Sequence, residues 1–319
     1  MAKRPPRTPR QPLIAFRGYQ EEVFWQDFRT FFLLWRRQAG KSFTLSAKAL
    51  SRMIKRKGHL CVFCSASIAL GTEFIRKEAE VWRSATETYR AIAAEAGMQL
   101  QTLVAGGGAD GREMSADGLD FDAICDLFEH EKLETRIYHD RTTYSRSRVV
   151  APNPATAVGW TGDVFLDEVG RVPGLKDVLE ALGPIMDANP EFLMWMATTP
   201  PPDDKHYSFE LFQPPVRDWP VNPRGNYYET ASAIPCHRFD AIDGEAAGLK
   251  FYHPKTRAVI SWQEHRALAF DKAGWDRNYM LKFLSGGSAA VSMAALARAM
   301  ARGHELGLVG VNVTEEVVA

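Results

Sequence analysis

The sequence predicts an α/β protein: a mostly parallel sheet with helices on both faces, plus a small C-terminal helical and irregular extension. Three observations predict it. Apolar runs of strand length recur at residues 30–35, 60–65, 162–166 and 192–198, and helical spacing fills the stretches between them. The third is the turn after the first run, Arg36-Arg37-Gln38-Ala39-Gly40-Lys41-Ser42, which closes on Gly-Lys-Ser and leads into a helix.

The bulk numbers fit that class and exclude others. A chain of 319 residues with 45% apolar and 24% charged residues can bury one large core or two smaller ones. No run approaches the ~20 apolar residues of a membrane-spanning helix. The N-terminus carries no apolar signal segment, so the expected compartment is the cytoplasm, where thiols are reduced. Lys+Arg and Asp+Glu match at 39 each, so any DNA-binding surface is expected as a local patch. Cys61-Val-Phe-Cys64 has no second Cys or His pair at ligand spacing and lies in an apolar run, which argues for buried thiols over zinc.

Taken in order, residues 1–12 hold Lys3, Arg4, Arg7 and Arg10 among prolines and read as a basic arm without a core. An amphipathic helix is expected through Phe24, Trp25 and Phe28 toward Phe31. Just ahead of it stand Tyr19 and Gln20. A glutamine amide can donate to and accept from one edge of adenine, and an aromatic ring can stack on it.

The turn at 36–42 has the chemistry of a phosphate-binding P-loop. Backbone N–H groups and the helix start hold an anion, Lys41 reaches the β and γ phosphates, and the Ser42 hydroxyl can ligate Mg²⁺. Trp35 stands where the first glycine of such loops is usual. The helix that follows is expected to bury Phe43, Ala47, Leu50 and Ile54, and its basic end at 52–57 suits a helix C-terminus.

After the 60–65 strand, residues 68–89 show a helical stripe of Leu70, Phe74, Ile75, Val81 and Trp82. Residues 105–118, rich in Gly and Asp, read as a loop. Strands at 135–138 and 147–151 are expected to form a hairpin, with Arg141, Arg146 and Arg148 making it the most basic mid-chain segment.

The third apolar run ends in Asp167-Glu168. A strand ending this way places one carboxylate on the Mg²⁺ shell and the next beside the attacking water, so Asp167 is assigned to the metal and Glu168 to the general base. A helix at 176–186 leads to the 192–198 strand, which ends in Thr198-Thr199, hydroxyls placed to sense a γ phosphate. Residues 200–235 read as irregular, 234–241 as one more strand, and 262–283 and 289–304 as helices either side of a Ser285-Gly-Gly-Ser288 linker. A further strand is expected to begin at 308–313.

In this order, Tyr19-Gln20, the Arg-Gln-x-Gly-Lys-Ser loop, Val164-Phe-Leu-Asp167-Glu168 and Ala197-Thr198-Thr199 resemble the ATPase domain of the large terminase subunit of tailed bacteriophages and prophages, from about Phe16 to about Gly287. The resemblance implies a P-loop NTPase of RecA/ASCE-like type that hydrolyses ATP with Mg²⁺ and drives double-stranded DNA into a procapsid. It implies a homo-oligomeric ring, a portal protein and a small terminase subunit as partners, with no membrane. Catalytic roles would fall to Glu168, Lys41 and Arg37. Nucleotide contacts would come from Tyr19, Gln20, Arg36, Gln38, Ala39, Gly40, Lys41, Ser42, Phe43, Thr198 and Thr199, and Mg²⁺ ligation from Ser42 and Asp167.

The implied organisation is an arm at 1–12, the ATPase domain at 13–240, its C-terminal part at 241–285, and a linker with the start of a further region at 286–319. Two departures from the family pattern stand out. Ala157-Val158-Gly159 replaces its Ala-Arg-Gly, whose arginine is a candidate finger, so Arg146, Arg148 or Arg171 would have to substitute. The acids of the family's nuclease domain are not found, so nuclease activity is not expected. Two other readings stay open: a helicase, which would need a second RecA-like repeat, and a prophage remnant that binds nucleotide without turnover.

Overall fold

A computed structural model describes residues 16–95, 128–130, 133–140, 142–157, 159–213, 226–284, 299–303 and 305. The basic arm, the 105–118 loop, Arg141, Val158, the 285–288 linker, most of the expected 289–304 helix and the 308–313 strand lie outside these residues. The elements in chain order are α1 (Gly18–Phe24), β1 (Thr30–Trp35), α2 (Lys41–Lys55), β2 (Leu60–Ser65), α3 (Ile68–Glu95), β3 (Phe128–His130), β4 (Glu134–Tyr138) and β5 (Tyr144–Val150). The short α4 (Pro154–Ala157), β6 (Asp163–Asp167), α5 (Leu175–Leu182), β7 (Met194–Thr198), α6 (Tyr207–Phe212), β8 (Tyr227–Glu229) and β9 (Pro235–Phe239) follow. Last come α7 (Ala241–Ala246), the β10 (Phe251–Tyr252) and β11 (Val259–Ile260) pair, α8 (Trp262–Ala267) and α9 (Lys272–Tyr279).

The sheet runs β3-β4-β5-β2-β6-β7-β1-β9-β8. Every pairing from β5 to β9 is parallel, and the antiparallel pairs stand at the two edges. The four strands expected from the apolar runs lie side by side, with Cys61 opposite Asp163, Val164 opposite Met194, and Met194 opposite Thr30. Their composition explains their place. A strand such as Thr-Phe-Phe-Leu-Leu-Trp has no polar face, so it must be covered on both sides.

Alternation along β1 sends Phe31, Leu33 and Trp35 into the layer covered by α1, α2 and α3, and Phe32 and Leu34 into the layer covered by α5. Leu175, Val178 and Leu182 of α5 fill that second layer. Within residues 241–280, a small cluster forms around Ala241, Phe251 and Trp275.

Several expectations need adjusting. Helix α1 stops at Phe24, because the Lys48 ammonium takes the carbonyls of Phe24 (3.0 Å) and Gln26 (2.5 Å) and turns the chain toward β1, where Phe31 is a strand residue. Helix α2 lies under α1 and α3 and is buried nearly all round from Thr44 to Leu50, while Ile54, expected inside, is half exposed. The 262–283 segment is two helices, since the Asp271 carboxylate caps α9 by accepting the Gly274 amide (2.8 Å).

Candidate functional site

The turn between β1 and α2 is shaped by two left-handed residues, Gln38 (φ 60°) and Gly40 (φ 83°). Gly40 caps α2 in a left-handed conformation that favours glycine, and a Cβ there would lie 2.5 Å from the Gln20 Nε2, so the Gln20 side chain would have to shift. Gln20 donates to the Ala39 carbonyl (3.3 Å) and accepts the Arg17 amide (3.0 Å). The Tyr19 hydroxyl donates to the same Ala39 carbonyl (2.7 Å), while its ring stacks on Phe239 at 3.7 Å and meets Trp35 edge-on. The Tyr19-Gln20 pair thus braces the loop from beneath. Phe43, half-buried, sits edge-on to Phe16.

Lys41, 6% exposed, curls over the loop and donates to the carbonyls of Trp35 (3.2 Å) and Arg36 (3.3 Å). Burial pushes its ammonium below the ordinary lysine range, while Glu168 and Asp167 pull the other way. The Ser42 hydroxyl donates to the Asp167 carboxylate directly. Burial, then the neighbouring Glu168, raises the Asp167 carboxyl above its ordinary value, opposed by Lys41 and the Ser42 bond.

Asp167 ends β6, and Glu168 follows it with φ 53°, a left-handed conformation for a side chain that gains nothing locally from it. The Glu168 Oε2 is buried and accepts no hydrogen bond among the described residues; the nearest cation is the Arg171 Nε at 3.9 Å. What holds this turn comes from β7. The Thr198 hydroxyl accepts the Gly170 amide (2.8 Å) and donates to the Thr199 carbonyl (2.7 Å). Both threonines are buried, so Thr198 serves here by fixing the chain two residues beyond Glu168.

Arg36, expected at the nucleotide, meets the loop through its carbonyl, which accepts from Lys41, and through its Nε, which donates to the Arg37 carbonyl (3.2 Å). Its guanidinium turns away from Lys41 and lies over Phe251 (4.5 Å) and Tyr279 (5.4 Å), 2% exposed, with Nη1 against Gly244 and lacking a hydrogen bond. Aromatic faces attract a guanidinium, and the long side chain reaches a cage that only the folded C-terminal unit assembles. Arg37 stays at the rim, its amide donating to the Asn278 carbonyl (3.0 Å). That contact brings in α9, which carries Arg277, a residue no motif spacing had singled out.

Of the three arginines weighed as substitutes for position 158, Arg171 stands at Glu168. Arg148 (3.0 Å) and Arg146 (3.8 Å) approach the buried Glu134 and lie over Trp160. The Cys61-Cys64 strand is buried as expected, but a different buried set, His59, Cys61 and Asp163, comes within ligand range. It does not fit a metal. The Asp163 carboxylate already accepts from Arg52 Nε (2.6 Å) and Nη2 (3.0 Å), His59 Nε2 (2.7 Å) and the Leu193 amide (2.9 Å).

The residues at the other end of β6 do fit a nucleotide with Mg²⁺. The Ser42 hydroxyl and Asp167 carboxylate face one another, the orphaned Glu168 carboxylate oxygen follows in sequence, and left-handed Gly40 opens the helix at the turn.

A mostly parallel sheet with a Gly-Lys-Ser turn after β1 and paired acids at the end of β6 is a P-loop type of α/β fold. Within that class the fold is that of phage large terminase ATPase domains. The chain superposes on the large terminase ATPase domain of Thermus phage P74-26 with a TM-score of 0.54, at 16% identity, over 83% of this chain and 92% of that one. An arginine-to-alanine mutant of that same domain gives 0.52, again at 16% identity, over 83% and 93%. The large terminase of a thermophilic bacteriophage, in complex with ADP, gives 0.50 at 12% identity, over 84% of this chain and 54% of that one. The chain thus spans about half the length of that large terminase chain. No protein-family model and no curated protein matches the sequence.

Proposed function

We propose that this chain is an ATP-hydrolysing motor subunit that translocates viral double-stranded DNA into a procapsid, the ATPase part of a large terminase. One observation carries the reading. Lys41 and Ser42 after β1, Asp167 and Glu168 after β6, and Thr198 at the end of the intervening β7 converge at the same end of three consecutive strands, where open parallel sheets bind ligands.

The roles follow from the groups. Lys41 leaves its carbonyl acceptors for the β and γ phosphates, and a phosphate restores the charge partner that burial withholds. Ser42 and Asp167 hold Mg²⁺, which neutralises phosphate charge and polarises the phosphoryl oxygens when bound. Glu168 accepts a proton from the attacking water, its free Oε2 being the acceptor. Gly40, Gln38 and Ala39 shape the amide cradle, and Gln20 holds it from below. Arg37 adds charge at the rim. DNA, a portal, a small subunit and a ring of copies complete the proposal on the strength of the resemblance.

The test is ATP turnover by the isolated chain with and without double-stranded DNA, beside Lys41→Ala and Glu168→Gln. Lys41→Ala should lose binding, whereas Glu168→Gln should bind and not turn over. Equal ATP affinity in wild type and Lys41→Ala would overturn the assigned site.

A further inference from the structure

The Arg37–Asn278 backbone bond brings Arg277 beside the turn between β1 and α2, within electrostatic range of two other arginines. Arg37 lies in the loop itself, Arg171 in the 3₁₀ turn after Glu168, and Arg277 on α9. The backbone fixes α9 there: the Asn278 carbonyl accepts the Arg37 amide, Tyr279 lies under the Arg36 guanidinium, and the Met280 carbonyl accepts Arg238 Nη2 (3.1 Å). Arg277, half-buried, lies within electrostatic range of both Arg37 and Arg171, and these two in turn act on Lys41.

Counter-charges are sparse. Among the described residues the side chains of Arg37 and Arg277 have no hydrogen bond or ion pair, and Arg171 has only its 3.9 Å approach to Glu168. Asp271 is the acid that favours the Arg277 charge, yet it caps α9 instead of pairing with it. Cations that outnumber the acids beside them repel one another, and an anion placed among them turns that cost into binding.

The geometry points to Arg277 as a further nucleotide-binding residue, reaching from α9 in the same chain to the terminal phosphoryl group of a bound nucleoside triphosphate. This rests on the ATP-site reading and goes beyond it. It gives the C-terminal unit a side chain that distinguishes triphosphate from diphosphate.

The experiment is an equilibrium titration with a fluorescent, non-hydrolysable ATP analogue and with the matching ADP analogue. It uses wild type, Arg277→Gln, Arg277→Lys, and Lys250→Gln as a control that removes an exposed charge from the same unit. Arg277→Gln should weaken triphosphate binding about tenfold or more and diphosphate binding less than about threefold, as expected for one lost charge-assisted contact. Arg277→Lys should recover part of the loss, and Lys250→Gln should match wild type.

Unchanged triphosphate affinity in Arg277→Gln would overturn the inference. So would an equal loss for both nucleotides, which marks a structural effect. Wild type binding neither analogue would sink the ATP-site reading and this inference with it, whereas wild-type binding with an indifferent Arg277→Gln sinks the inference alone. A thermal unfolding midpoint without nucleotide, equal in wild type and Arg277→Gln, shows that the variant is folded.

Discussion

The Gln20 carboxamide occupies the space that a Cβ would take at Gly40, 2.5 Å from the position of such an atom. Nucleotide affinity should therefore be sensitive to Gly40→Ala on two counts. The φ of 83° costs an alanine about 1–2 kcal/mol, and the methyl must also displace Gln20 from Ala39. The expected result is at least tenfold weaker nucleotide binding, from about 1.4 kcal/mol or more. Adding Gln20→Ala should return part of it, because the clash goes and the backbone strain stays. A double variant as weak as the sum of the singles would show that the two residues do not compete for that space.

Thr198 tests positioning apart from binding. Its hydroxyl holds the Gly170 amide, and that amide follows Glu168 by two residues. Thr198→Val keeps the shape and removes the acceptor, so kcat should fall by about tenfold or more while ATP affinity stays within a factor of two. Thr198→Ser should restore turnover. Loss of binding in step with kcat would mean that the hydroxyl meets the nucleotide directly.

These residues also show what the sequence could and could not reveal. The strands were legible because their apolar runs have no polar face, and Lys41, Ser42, Asp167 and Glu168 because strand ends bring short motifs together whatever lies between them. Arg36 was misplaced for a physical reason: a long side chain beside the loop can point to either side, and the cage of Phe251 and Tyr279 lies more than two hundred positions away in sequence. Arg277 had no local signal at all, since α9 reaches the loop through tertiary contacts, the Asn278 carbonyl on the Arg37 amide and Tyr279 under the Arg36 guanidinium. The end of α1 at Phe24 was equally hidden, being set by Lys48 from the next helix.

Glu78 of α3 gives a pH dependence unrelated to turnover. Its carboxyl is fully buried near the Thr135 and Ser147 hydroxyls, and burial raises it from 4.5 to about 8, with the two hydroxyls opposing. Between those values the unfolded chain has released the proton and the native chain keeps it. Stability is therefore fully present below about pH 4.5 and declines as pH rises toward 8, by up to ~1.4 kcal/mol per pH unit. Urea midpoints from pH 5 to 8.5 should show this slope in wild type and a flatter one in Glu78→Gln. The same slope in both would assign the effect to another group.

Asp163 anchors the end of β6 opposite to Asp167. One carboxylate there joins the last turns of α2 through Arg52, the start of β2 through His59 and the start of β7 through the Leu193 amide. Burial raises its carboxyl, but the hydrogen bonds from His59 and Arg52 outweigh it and hold the group below the ordinary range. Asp163→Asn leaves the partly buried Arg52 without its charge partner and should cost about 3 kcal/mol in urea unfolding. Folded Asp163→Asn should still bind nucleotide as wild type does, because four residues of strand, about 13 Å, separate it from the site. A selective loss of nucleotide affinity would contradict its assignment as a structural hub.

The last prediction concerns the arginine that completes phosphoryl transfer. Charge developing on the γ-phosphoryl group is stabilised by such a residue to the extent of ~10³ or more in rate. Arg146 and Arg148 are drawn to Glu134, whereas Arg171 lies 3.9 Å from the Glu168 carboxylate within the same chain. Arg171→Ala should therefore reduce kcat by about a hundredfold or more with little effect on ATP affinity. Arg148→Ala should weaken the β4–β5 hairpin and leave kcat per folded molecule nearly unchanged. Mixing then separates the two geometries. An arginine acting within its own chain cannot be supplied by a neighbour, so combining Arg171→Ala with Lys41→Ala subunits should leave activity at the level of the parts. Recovery of activity in that mixture would mean that Arg171 reaches across to a neighbouring subunit's nucleotide. Recovery with Arg148→Ala in its place would make Arg148 the trans-acting residue and require it to leave Glu134 on assembly.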